Sequence, residues 1–315
     1  MRVPPPLSWH RLQPDDEGYP ALLREVQRPP ALDVAGHLDP GDEVVAIVGS
    51  RQSSPYGEDL AYEIAAELAV SGIVVASGLA RGIDSCAHRG ALDAGGRSIA
   101  VMGTGRDRIY PAEHTDLARR LSGQGALVTQ FEPDSAPVRS NFPTRNQTLS
   151  GLSLGVVVVE ARRRSGAMLT AGAAADQGRL VMAVPGSVYS ATSEGCHDLL
   201  RDGAHLVVSG EQVVQEVRGD PLFRVLKPVQ KASLPQAYGD LRDDLARVLG
   251  SRSMSLDHVC TRTGASARDV ATAMAQLRLD GAVILRQGLY SLTRRGLRPA
   301  ELLHRRGMTS PDAGL

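Results

Sequence analysis

The sequence predicts a doubly wound α/β sheet followed by a smaller unit of three helices and a hairpin. Three observations carry this. Short apolar runs recur: "VVAIV" (44–48), "IVVA" (73–76), "SIAVM" (98–102), "ALVTQF" (126–131), "GVVVVE" (155–160), "RLVMAV" (179–184) and "HLVV" (205–208). Most are solidly β-branched rather than alternating, as parallel strands covered on both faces are. Helical patterns such as "GEDLAYEIAAELAVSG" (57–72) and "TDLARRLSGQ" (115–124) lie between them. Strand–helix alternation at this spacing gives a parallel sheet with helices on both faces.

In chain order, residues 1 to about 40 are proline-rich and weakly patterned, and read as an extension packed on the next domain. The sheet domain spans 41–218. The stretch 219–240 has prolines and little periodicity and reads as a linker. Residues 241–293 form the second unit. "LRDDLARVLG" is its first helix, "SLDHVCTRTG" a short second helix stopped by Gly264, and "SARDVATAMAQLRLDGAV" a third, N-capped by Ser266 and stopped by Gly281. "ILRQGLYSLT" is a hairpin turning at Gln287-Gly288. That order is the order of a winged helix-turn-helix. Its Arg262, Arg268 and Arg278 could face a duplex, or the unit could serve interaction or dimerisation. The tail 294–315 is basic.

Composition excludes several classes. Formal net charge is zero, so any surface for a polyanion is local. Lys227 and Lys231 are the only lysines, so the positive charge is nearly all arginine, which grips phosphate through a planar fork. No apolar run has the length of a membrane span, and the N-terminus lacks a signal-peptide core, so a cytoplasmic protein without a membrane partner is expected. The three cysteines, Cys86, Cys196 and Cys260, form no disulfide framework. Cys86 and His88 with Cys196 and His197 match no common metal spacing, and read as buried thiols and hydrogen-bonded imidazoles.

Ligands of an open α/β sheet bind beyond the carboxyl ends of its strands. Five segments there are small, flexible and rich in N–H donors: Gly49-Ser50-Arg51, Ser77 to Gly82 with Arg81, Gly103 to Arg106, Arg162-Arg163-Arg164-Ser165-Gly166, and Pro185-Gly186-Ser187. Glycine admits close approach of an anion, a helix N-terminus offers free N–H groups, and arginine adds bidentate charge. The three arginines join a buried strand to a helix start, a place where a merely solvated charge run is unusual, although Arg162 or Arg163 could pair with surface carboxylates. "SNFPTRNQTLSGLS" (140–153) adds Phe142, Arg145 and Asn146. Phe142 is either a base-stacking platform or a core residue, and Arg145 either a backbone contact or a helix cap. There is no G-x-G-x-x-G after the first run and no P-loop. No cofactor is expected; the ligand is a mononucleotide or a polymer backbone.

"VAIVGSR", "SGLARGIDSCAH", "MGTGRDRIYPAEH", "FPTRNQTLSGLS", "VVVVEARRRSGAMLTAGAAADQGR", "AVPGS" and "SEGCHDLLRDGA" occur in the order found in the DNA-processing DprA/Smf family, and residues 18–210 resemble that family. The resemblance implies an extended Rossmann-like fold with an appended winged helix. It implies a homodimer that binds single-stranded DNA without catalysis, displaces single-strand-binding protein and loads a RecA-type recombinase in natural transformation and DNA repair. By motif, it puts DNA contacts at Gly49, Ser50, Arg51 and Arg164, with Ser165, Gly166, Met168, Arg145 and Asn146 close by. Arg164 stands where the family often has lysine, and Gln147 where it commonly has arginine. Two other functional classes fit parts of the sequence. A nucleoside-monophosphate hydrolase of the lysine-decarboxylase-like group would use Glu160 and Asp84, although its Pro-Gly-Gly-x-Gly-Thr loop is missing and both carboxylates read better as partners that orient arginines. A transcription regulator would act through the winged helix.

Overall fold

The structure, a computed structural model, describes residues 7–219, 245, 248–249, 254–279, 283–286 and 289–292. The chain divides at Lys231 into two compact units.

The first unit is built on a nine-stranded sheet: β1 Trp9–Leu12, β2 Leu32–Gly36, β3 Val44–Val48, β4 Val74–Ser77, β5 Ser98–Val101, β6 Ala126–Thr129, β7 Gly155–Val158, β8 Leu180–Ala183 and β9 His205–Leu206. Their spatial order is β1-β2-β6-β5-β4-β3-β7-β8-β9. From β6 to β9 every neighbouring pair is parallel. The helices are α1 Ala21–Arg24, α2 Pro55–Val70, α3 Ile83–Asp93, α4 Thr115–Gln124, α5 Asn141–Gly151, α6 Gly166–Asp176, α7 Glu194–Arg201 and α8 Gly210–Gly219. Successive side chains of a strand point to opposite faces, and β3 shows the consequence. Val45 and Ile47 join the core under α2, α3 and α8, with Ile64, Leu68, Ile83 and Val213. Val44, Ala46 and Val48 join the other core, with Leu149 of α5, Leu152 just after it, and Ala167, Ala171 and Ala174 of α6. Both faces are therefore buried, which is why the strand reads as an unbroken apolar run.

One expectation is corrected. Residues 1–40 are not only an extension. Leu32–Gly36 pairs antiparallel with β6, and Trp9–Leu12 pairs antiparallel with it in turn. The burial of Leu32, Val34 and Ala35 adds this edge to the sheet. "LDVAG" is short, carries an aspartate and is flanked by prolines, so its pattern is weak.

The second unit has the helices Leu256–Thr263 and Ala267–Leu279 and an antiparallel pair of strands, Val283–Arg286 and Leu289–Leu292. Gly264 ends the first helix at φ 68°, and the Ser266 hydroxyl accepts from the Asp269 N–H at 3.1 Å to start the second. Leu249, Val259, Val270, Met274 and Tyr290 pack together as its core. The expected stop at Gly281, the turn at Gln287-Gly288, most of the linker and the tail lie outside the described residues.

Helices α2 and α3 meet closely at Gly90, where a Cβ would lie 2.2 Å from the Tyr62 carbonyl oxygen. Overpacking costs about 1–3 kcal/mol, more than the ~1 kcal/mol of helix propensity that alanine adds. Gly90→Ala is therefore expected to lower stability in urea unfolding. Gly172→Ala, in α6 where a Cβ meets nothing within 4 Å, is expected to raise it by about 0.5–1 kcal/mol.

Candidate functional site

β3 and β7 are parallel neighbours, yet α2 leaves β3 for one face and α6 leaves β7 for the other. The strands stay paired to Val48 and Val158, but the segments beyond them part towards opposite faces, and a crevice opens at this switch point. It holds a cavity of about 650 Å³. Gly49, Ser50 and Arg51 border it from β3, Arg81 from the segment after β4, Phe142, Arg145 and Asn146 from α5, and Arg162, Ser165 and Gly166 from the start of α6. The fold thus brings ten of the thirteen expected site residues to one cavity; Arg163, Arg164 and Met168 lie outside it.

Arg145 forms the floor. It is 5% exposed, neither a surface contact nor a helix cap. Its Nη1 donates to the Val101 carbonyl at 2.9 Å, while its Nε has no hydrogen-bond partner. Gly78 makes this possible, because a Cβ there would fall 1.8 Å from Nη1. Asp84 lies nearby, its Oδ2 accepting from the Gly78 N–H at 3.1 Å and the Ala80 N–H at 3.4 Å. Between those donors Leu79 sits at φ 59°, a left-handed turn that costs a non-glycine residue about 1–3 kcal/mol. It is held by full burial and by a 2.9 Å hydrogen bond from His114 Nδ1 to the Leu79 carbonyl. Burial pushes the Asp84 carboxyl up, against the pull of Arg145. Burial likewise lowers Arg145, with Asp84 opposing and Arg51 adding to the fall.

Phe142 is half-buried in the first turn of α5. It is neither core nor open platform, because the Arg51 guanidinium lies over its ring at 5.0 Å from the centroid. The Arg145 guanidinium stands 5.9 Å from the same centroid. Two cations thus share one ring, and a cation–π contact at such a site contributes only about 0.5–1 kcal/mol. An anion between them would relieve their mutual repulsion.

The arginines differ in what already holds them. Arg51 and Arg162 are exposed at the cavity and make no ion pair among the described residues. Arg164 is exposed just outside it, also without an ion pair among those residues. Arg163 instead turns to α7, with its Nε 2.8 Å from Asp198 and 4.0 Å from Glu194. Arg81 forks onto Glu113 at 2.5 and 2.8 Å, and these bonds hold the Glu113 carboxyl below its usual range. Ser165 has the extended backbone of an N-cap, yet its Oγ caps nothing and is buried without a partner. Asn146 Nδ2 donates to the Gly166 carbonyl at 3.2 Å and fixes this helix start. Met168 packs on the core beside Gly195, away from the cavity. Gly49 abuts Ile83, where a Cβ would fall 2.6 Å from Cγ1, so it serves helix packing as well as the rim.

Glu160 does not orient an arginine. Its carboxylate accepts from the Ser54 N–H at 3.0 Å and the Ser54 hydroxyl at 2.5 Å, securing the start of α2. Sequence reading placed Gly78 only among the rim's N–H donors and missed the room it leaves for Arg145, whereas its reading of Asp84 as an arginine partner agrees with the pull between Asp84 and Arg145. The spacing "SGLARGID", which returns Asp84 to two backbone donors, was the available signal.

Among the described residues no group of three or more metal-binding side chains comes together. Cys196 is buried, which pushes its thiol up to about 12. His88 is also buried. Ser98 Oγ donates to the Val75 carbonyl at 2.7 Å, so His88 Nδ1–H donates to Ser98 Oγ at 2.8 Å and Nε2 is left bare. Burial lowers this imidazole from 6.5 to about 3. Between those values the unfolded chain binds a proton that the folded one refuses. Stability is therefore expected to fall as pH drops from about 6.5 towards 3, by up to about 1.4 kcal/mol per pH unit from this residue. Urea unfolding of wild type and His88→Asn over that range checks it, since the variant's curve should be shallower.

The chain matches the family model for DNA recombination-mediator protein A over residues 10–218 and that for the DprA winged helix domain over 229–288. It is 39% identical to Protein Smf of Escherichia coli over 297 residues, covering 91% of this chain and 78% of that protein. The crystal structure of DNA processing protein A from Streptococcus pneumoniae superposes with a TM-score of 0.63 at 38% identity, covering 66% of this chain and 74% of that one. A Helicobacter pylori DNA processing protein A, whose structure was described for its single-stranded DNA binding mode, gives 0.61 at 26% identity, covering 68% and 97%. The sheet domain and the winged-helix unit thus have their counterparts in one group of proteins, and the chain belongs to the DNA recombination-mediator protein A (DprA/Smf) family.

Proposed function

We propose that the carboxyl rim binds single-stranded DNA, and that the protein acts there as a recombination mediator without catalysing a reaction. One observation carries the reading. Arg51, Arg162 and Arg164 stand at or beside the switch-point cavity where α6 begins, and none of them makes an ion pair with a carboxylate among the described residues, although the buried Asp84 carboxyl lies within electrostatic reach of Arg51. On a chain of zero net charge this is a local site for a phosphate backbone. Single strands suit it, because a cavity of about 650 Å³ admits unstacked nucleotides and the loops can follow the phosphates. The single-stranded DNA binding mode described for the Helicobacter pylori relative supports the same ligand.

The family description as a recombination mediator supports the finer reading. In it, the protein is a homodimer in the cytoplasm that displaces single-strand-binding protein and loads a RecA-type recombinase, in transformation or repair. Among the described residues no helix is long and apolar enough to cross a membrane. The winged-helix unit is an interaction module in this account.

The arginines give a graded test. If about four phosphates are neutralised per protomer, log affinity should fall with log salt at a slope near −3. Arg51→Ala, Arg162→Ala and Arg164→Ala are each expected to weaken binding and flatten that slope by about 0.7. Arg163→Ala should change little, since Asp198 already holds that side chain. Fluorescence anisotropy of a labelled oligonucleotide over a salt series measures all four. Unchanged binding in the first three would place the groove elsewhere. Release of free base from a nucleoside monophosphate would favour the hydrolase.

A further inference from the structure

Aromatic side chains make up 3% of this chain. Among the described residues three of them are exposed: Tyr110 at 45%, Tyr56 at 54% and Tyr189 at 96%. All three stand on the carboxyl rim. Tyr110 lies in the segment after β5, Tyr56 in the first turn of α2 after β3, and Tyr189 in the segment after β8. The opposite rim, where the helices return to the sheet, has no exposed aromatic residue among those described.

The three flank the arginine cavity from both sides. Tyr110 stands beside Phe142, with ring centroids 6.3 Å apart, so on the β5 side it neighbours a residue that lines the cavity. On the other side, the Tyr56 hydroxyl donates to the Pro185 carbonyl at 3.3 Å, which ties the start of α2 to the segment carrying Tyr189. The Ala161 N–H donates to the Thr192 carbonyl at 2.7 Å, which ties that segment to the loop of Arg162 and Arg164. From β5 to β8 is four strand spacings, roughly 19 Å. A ring left in water forgoes its burial, and exposed aromatic clusters mark binding surfaces.

We propose that Tyr110, Tyr56 and Tyr189 are base-stacking sites for a single strand that runs across the strand ends, over the cavity, from the β5 side to the β8 side. This rests on the reading that the rim binds single-stranded DNA. Nucleobases fit better than a protein side chain here, because the unpaired Arg51 and Arg162 between the tyrosines attract a polyanion. Every base has a π-face, so the track needs no sequence preference.

The experiment compares an oligo-dT with an abasic oligonucleotide of equal length and charge, by anisotropy. The proteins are wild type, Tyr110→Ala, Tyr189→Ala, Tyr189→Trp, Tyr189→Leu and Arg51→Ala. Each alanine variant should bind oligo-dT about 5- to 100-fold more weakly. It should bind the abasic strand as wild type does and keep the wild-type salt slope. Tyr189→Trp should retain binding and Tyr189→Leu should not, which separates stacking from burial. Equal losses on both strands, or no loss on either, would overturn the proposal. So would a change of oligomeric state in Tyr189→Ala with DNA binding intact, since the ring would then cover a second copy. If Arg51→Ala weakens both strands while the tyrosine variants match wild type, single-strand binding stands and the stacking track falls. If wild type binds neither strand, both fall.

Discussion

Two parallel strands, β3 and β7, lie side by side and send their helices to opposite faces of the sheet. Neither helix can close the space above their ends, and that opening fixes everything else at the site. The loop after β3 must turn over it, carrying Gly49, Ser50 and Arg51. Helix α6 must begin at it, with unpaired N–H groups and the positive end of its dipole directed there. The arginines between β7 and α6 are therefore held at the helix start by topology.

The opening is shaped from below by a buried cation. Taking a guanidinium out of water costs several kcal/mol, and Arg145 recovers part of this from the Val101 carbonyl and from the nearby Asp84 carboxylate. Gly78 leaves the room for it, and the Leu79 turn brings two backbone donors to Asp84. Above this floor Phe142 carries Arg51 on its ring. The exposed charges thus stand on a rigid, partly strained base, while Arg163 and Arg81 are satisfied by carboxylates of their own. Being arginine is not enough to belong to the binding set; Arg51, Arg162 and Arg164 combine a place at or beside the cavity with the lack of an ion pair among the described residues.

Much of this was legible in the sequence, and for physical reasons. Strands buried on both faces have no alternation, so "VVAIV" and "GVVVVE" announce a parallel sheet directly. Loops at strand ends follow from that, and with them most of the cavity wall. The rest depended on where side chains point in three dimensions. Nothing in "ARRRSG" separates the arginine that meets Asp198 from its neighbours, because α7 lies more than thirty residues away. Phe142 and Arg145 could each be surface or core, since helix α5 starts earlier than "FPTRN" suggests, at Asn141. Leu32–Gly36 was hidden because its partner, β6, is remote in sequence and its own pattern is brief.

The most direct measurement is hydrogen–deuterium exchange of the full chain with and without a single-stranded oligonucleotide. If the switch point holds the strand, added oligonucleotide should slow exchange in peptides covering 49–52 and 162–169, the β3 loop and the first turn of α6. If protection instead appears in 256–279 of the winged-helix unit while those peptides exchange as before, the rim is not the DNA site and the account fails at its centre.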